Sequence, residues 1–186
     1  MEFTLKEIKP ILKYIIENNK KIQENGQFPV GICLEGLSGI GKSSVLDQIA
    51  KEIDANYIKI SLSNICEPSE LIGYPIKEHL VCKNGECKWI PSELLEAFAR
   101  SGWELTEETR MGYAIPAWLK GLDESKPTIF NLDDFTRANS SIQNSIMEII
   151  NRQEYISWKL PKNSTVVLKK CNYFLVISII FHNFVV

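Results

Sequence analysis

Eight residues, Gly36-Leu37-Ser38-Gly39-Ile40-Gly41-Lys42-Ser43, match G-x-x-x-x-G-K-[ST], the spacing of a phosphate-binding loop. The chemistry behind that spacing is charge. A nucleoside triphosphate crowds several negative oxygens together. Glycines let successive backbone N–H groups turn inward to meet them, and the N-terminus of a following helix adds its positive dipole end. Lys42 has the length and charge to reach the β- and γ-phosphates. The Ser43 hydroxyl is a hard oxygen donor of the kind Mg²⁺ takes beside bound phosphates. With Ser44 next in the chain, residues 36–44 form the candidate binding stretch.

A second group lies further along. Ile129-Phe130-Asn131-Leu132 is a mostly apolar run that ends in Asp133-Asp134. A buried parallel strand presents such acids at its carboxyl edge, where open α/β sheets take their ligands. Asp133 would hold Mg²⁺, through water, and Asp134 would orient or activate the attacking water. The rival acidic pair Asp123-Glu124 has no apolar strand leading into it and is set aside.

The elements that must position these groups are legible around them. Residues 29–34 read as a buried strand before the glycine loop. Val45, Leu46, Ile49, Ala50 and Ile53 have helical spacing after it, and Ile58, Ile60 and Leu62 alternate as a second strand. Strand, helix, strand is a βαβ unit, which implies a parallel sheet with a right-handed crossover. Upstream, residues 4–23 read as an amphipathic helix with a Thr4/Glu7 capping box. Pro10 kinks that helix or opens its first turn. The helix packs on the core, or lies beside the base of a bound nucleotide.

Between the two chemical groups, residues 67–75 read as a short helical entry ended by Gly73 and Pro75. Asn84-Gly85 suits a tight hairpin turn, which sets Cys82 opposite Cys87 and Lys83 opposite Glu86. That cysteine pair is open to three readings: a zinc half-site, a redox disulfide, or two small apolar residues. Two ligands are too few for structural zinc. Residues 92–100 read as a helix, 101–113 as a loop and 116–122 as a short helix starting at proline. A helix over 139–152 follows, then a hairpin arm over 154–160, a turn at 161–164 and a strand from 165 to 168.

The 186 residues are enough for one domain with a sizeable core, and 45% hydrophobic with 24% charged is ordinary globular composition. A formal net charge of −2 supplies no basic field for nucleic acid. No basic-then-apolar leader opens the chain. Five cysteines without scaffold spacing fit a reducing cytoplasm. The expected organisation is an N-terminal helix over 1–28, a core over 29–170 with hairpin inserts near 80–90 and 153–164, and an atypical apolar tail over 171–186.

With both groups placed, the chain resembles an AAA+ ATPase core of the MoxR-like and dynein-related branch. Residues 36–43 correspond to its Walker A motif and Ile129 to Asp134 to its Walker B. Ser69-Glu70-Leu71-Ile72-Gly73-Tyr74-Pro75 with the Asn-Gly hairpin resembles the insert in the family's second helix. Met147 to Ile156 leading into Val166-Val167-Leu168 resembles the hairpin before its sensor-1 strand. The match spans roughly residues 29–168. It implies a P-loop NTPase three-layer α/β/α sandwich with a parallel sheet in order 5-1-4-3-2. It further implies ATP with Mg²⁺ as ligands, catalytic roles for Lys42 and Asp134, and metal ligation by Ser43 and Asp133. Assembly into a ring, usually a hexamer, would couple ATP hydrolysis to remodelling of a protein partner. The family's catalytic acid is usually glutamate; Asp134 is one methylene shorter.

After Leu168 the pattern departs from the family. Cys171 sits where the sensor asparagine is expected, and the fifth strand, arginine finger, sensor-2 arginine and helical lid have no candidates. The apolar tail is a strand or helix burying against the core, an altered reading frame after the Lys169-Lys170 codons, or a membrane anchor. Its apolar run is short of the ~20 residues a spanning helix needs. Two other functions share the motif: a small-molecule or nucleotide kinase, for which the scattered arginines supply no clear lid, and a nucleotide-dependent interaction module that does not hydrolyse.

Overall fold

The computed structural model describes residues 4–171 and 176–180. The chain opens with α1 (Leu5–Glu24), capped by the reciprocal Thr4/Glu7 box. Its buried face carries Ile8, Leu12, Ile15 and Ile16, and the helix runs through Pro10. β1 (Gly31–Gly36), the glycine loop and α2 (Lys42–Glu52) follow, then β2 (Asn56–Ser61), α3 (Pro68–Ile72), β3 (Pro75–Lys83), β4 (Glu86–Pro91), α4 (Leu95–Arg100) and β5 (Glu104–Tyr113). The second half comprises β6 (Thr128–Asp133), α5 (Ser140–Arg152), β7 (Glu154–Tyr155), β8 (Trp158–Lys159), β9 (Ser164–Cys171) and β10 (Val176–Ile180).

The main sheet has the order β10-β1-β9-β6-β2. β1, β9, β6 and β2 run parallel to one another. Side chains alternate across this sheet because a strand has a period of two. Ile32, Leu34, Ile129 and Val167 pack with α1 and α2 on one face. Cys33, Phe130, Leu132, Val166 and Leu168 pack with α3, α5 and Trp158 on the other. Two cores, one on each face, make the three-layer α/β/α sandwich.

Three segments differ from the sequence expectations. Residues 101–113 were expected as a loop, yet Glu104–Tyr113 is a strand, so the insert is a three-stranded antiparallel sheet in order β4-β3-β5. Its polar residues dominate because most of the strand is exposed, which hides the alternation that burial would impose. The hairpin arm over 154–160 instead folds on itself, with Tyr155 paired to Trp158.

The third correction concerns the fifth strand, which was expected to be missing. β10 fills that edge beside β1, with Glu35 opposite Val176 and Gly31 opposite Ile180, but it runs antiparallel. Only four residues separate it from β9, whereas a parallel partner needs a crossover of roughly a dozen or more. The rest of the 171–186 tail lies outside the described residues. Among those described, no helix is long and apolar enough to cross a membrane.

Cys82 faces Cys87 and Lys83 faces Glu86, as the Asn84-Gly85 turn requires, and the two cysteines form a disulfide. Among the described residues no group of three or more His, Cys, Asp or Glu side chains is placed to hold a metal.

Candidate functional site

The carboxyl edge of the main sheet gathers both chemical groups. A cavity of about 290 Å³ is lined by Ser38, Gly39, Gly41, Lys42, Ser43, Ser44, Asp133, Asp134, Lys169 and Lys170. β1 delivers the glycine loop, α2 carries Lys42, Ser43 and Ser44, and β6 ends on Asp133. Gly36, Leu37 and Ile40 belong to the loop but do not line the cavity.

Gly41 takes a left-handed conformation (φ 99°) immediately before α2. Only a residue without Cβ turns there at no cost, and a Cβ would meet Leu5 Cδ1 at 3.2 Å. That contact is where α1 comes up against the loop. No residue of α1 lines the cavity, so the alternative that sets this helix beside a nucleotide base gains no placement.

Lys42 is buried, and its ammonium donates to the carbonyls of Gly36 and Leu37, each at 2.7 Å. The lysine therefore folds over its own loop. A bound phosphate would compete for the same ammonium.

Lys169 is the group that sequence reasoning missed. Alternation along β9 puts Lys169 on the same face as Val167, toward α2; alternation along β6 puts Asp133 on the face of Ile129. Lys169 Nζ lies 2.6 Å from Asp133 Oδ2 and donates to Ser43 Oγ. It is 3% exposed. Lys59 Nζ approaches the same carboxylate from β2 at 3.6 Å, and the Asp134 N–H donates to Asp133 Oδ1 at 3.0 Å. Burial alone would push the Asp133 carboxyl up. The hydrogen bond and charge of Lys169, then Lys59 and the Asp134 N–H, outweigh it and hold the group below the usual carboxylate range. Lys170 sits 3.8 Å from Glu35 and stacks over the Phe135 ring. Both lysines stand near the end of the strand that lies between β1 and β6, at the edge where ligands gather.

Asp134 adopts φ 57°, and Ser63 Oγ donates to its Oδ2 at 3.4 Å. Asp134 lines the cavity beside Asp133. A carboxylate held there is able to accept a proton from water.

Ser43 and Asp133 are the hard oxygen donors that Mg²⁺ prefers. By chemistry the pair fits the ion. By arrangement it does not, because the Lys169 ammonium already engages both groups.

Comparisons with known proteins bear on this geometry. Residues 31–181 match the family model described as an AAA domain of the dynein-related subfamily. Midasin from Dictyostelium discoideum is 28% identical over 109 residues, which is 58% of this chain and 2% of that protein. A Lon protease from Cytophaga hutchinsonii is 39% identical over 54 residues, 29% of this chain and 6% of that protein. The chain thus spans only a small part of these relatives. Among solved structures, a RuvB mutant from Thermotoga maritima aligns over 90% of this chain and 39% of its own, with a TM-score of 0.50 and 15% identity. That likeness concerns the fold alone.

Proposed function

Because the chain belongs to the dynein-related subfamily of AAA+ P-loop ATPases, we propose that it binds ATP in the 290 Å³ cavity and hydrolyses it slowly to remodel a protein partner. The observation that carries this reading is the convergence of Ser38, Gly39, Gly41, Lys42, Ser43 and Ser44 with Asp133 and Asp134 on one cavity. Loop N–H groups and the α2 N-terminus take the phosphates, and Lys42 leaves the Gly36 and Leu37 carbonyls to pair with them. Asp134 orients the attacking water and accepts its proton.

Slow turnover follows from Asp134 itself. A carboxylate one methylene shorter than glutamate stands farther from the γ-phosphate, and misplacement by ~1 Å costs on the order of a hundredfold. Ring assembly belongs to the same proposal, since a neighbouring subunit is the ordinary source of an arginine that stabilises transition-state charge.

Calorimetry of ATP binding to the wild type and to Lys42→Ala, followed by phosphate release on the same samples, tests the reading. Binding lost in the variant, with slow release by the wild type, is the expected result. A folded wild type that binds no ATP sinks it. Binding with no release at all removes the hydrolytic half and leaves an interaction module.

A further inference from the structure

The position that a divalent cation would take between Ser43 and Asp133 is held by a side chain of the protein itself. Lys169 is no wandering surface lysine. Its backbone is paired with Leu34 of the strand that carries the glycine loop, and it directly follows Leu168, the partner of Leu132 in the acid-bearing strand. From there the buried side chain reaches between Ser43 of the loop helix and Asp133. Its ammonium meets both expected metal ligands at once. The cavity is then lined by three lysines, Lys42, Lys169 and Lys170, against two aspartates.

We propose that Lys169 serves as a tethered cation in place of the divalent ion, so that this chain binds a nucleoside triphosphate without Mg²⁺. The proposal rests on reading the cavity as a triphosphate site. Mg²⁺ needs near-octahedral oxygen ligation at roughly 2.0–2.1 Å. To acquire it here, the ion would have to displace a buried ammonium from its hydrogen bonds to Ser43 and Asp133. An ammonium needs no such shell. It keeps Asp133 on one side and offers its remaining donor to a phosphate oxygen on the other. Lys169 and Lys42 would then face the phosphates from opposite walls, as two point charges.

The test is calorimetry of ATP binding to the full chain in excess EDTA and in excess Mg²⁺. The wild type is expected to bind in both buffers with dissociation constants within about threefold of each other. Lys169→Met, which keeps the stem and drops the charge, is expected to bind at least about tenfold more weakly in EDTA, with Mg²⁺ restoring the affinity. A wild type whose binding needs Mg²⁺ by more than about threefold overturns the proposal while leaving ATP binding itself intact. A wild type that binds in neither buffer overturns both. The wild-type comparison is decisive even where Lys169→Met fails to fold.

Discussion

The Asn131 side-chain amide donates a 2.6 Å hydrogen bond to the Tyr57 hydroxyl, which in turn donates to the Ser43 carbonyl at 3.3 Å. A phenol on β2 thus ties the interior of β6 to the first turn of α2. Asn131 is fully buried, and its side-chain carbonyl oxygen has no partner among the described residues. Tyr57→Phe strands the amide and is expected to lower the unfolding free energy by about 1–3 kcal/mol. Adding Asn131→Leu should recover part of that loss, because both polar partners are then gone. Urea denaturation of the two single variants and the double variant gives the coupling; strict additivity would contradict the relay.

Asp134 should separate binding from chemistry. Asp134→Asn is expected to lower phosphate release by on the order of a hundredfold or more while ATP affinity stays within about threefold. Asp134→Glu, which restores the missing methylene, is expected to raise release above the wild type. A charge-only role in binding would show instead as a shift in affinity in Asp134→Asn that Asp134→Glu does not share.

The thiols should differ sharply. Burial pushes the Cys33 thiol up to about 11, with Glu35 adding to the shift and the Lys170 charge opposing it. Cys66 is exposed. Only the thiolate is nucleophilic, so at pH 8 iodoacetamide should modify Cys66 and spare Cys33 in the folded protein, read peptide by peptide by mass spectrometry. The sign follows from the raised value. Folding favours the protonated thiol, so its contribution to stability is complete below pH 9 and is lost as pH rises toward 11. Equal labelling of both cysteines in the native state would mean that β1 opens readily.

Reduction of Cys82–Cys87 should act on the insert alone. The bridge closes a short loop, worth about 2 kcal/mol in chain-entropy terms. None of the cavity-lining residues belongs to the β4-β3-β5 sheet. Dithiothreitol is therefore expected to loosen the hairpin, seen as faster proteolysis near Asn84, with ATP affinity unchanged. A change in affinity on reduction would reveal coupling between insert and site.

The parts legible in the sequence were those with strong periodicity or special residues. The glycine loop, the apolar run into Asp133-Asp134, the Thr4/Glu7 cap and the Asn84-Gly85 turn each carry a local physical signature. β5 carries none, because an exposed strand need not alternate. Lys169 escaped for a different reason. Its type says only cation; its role comes from the register of β9 between β1 and β6, which is a property of the sheet. Asn131 was read as one more member of an apolar run, and only the position of Tyr57 across the sheet shows why a polar side chain sits there.

β10 has a consequence for colloidal behaviour. With β9 on one side and β10 on the other, every residue from Ile32 to Glu35 has a backbone neighbour on both flanks. Remove Val176–Ile180 and β1 becomes an open template, an apolar Ile-Cys-Leu row whose free N–H and C=O groups invite the matching row of another molecule. The glycine loop hangs from that same strand. Loss of β10 would then cost solubility first, and the site would disappear into aggregate before its chemistry could fail.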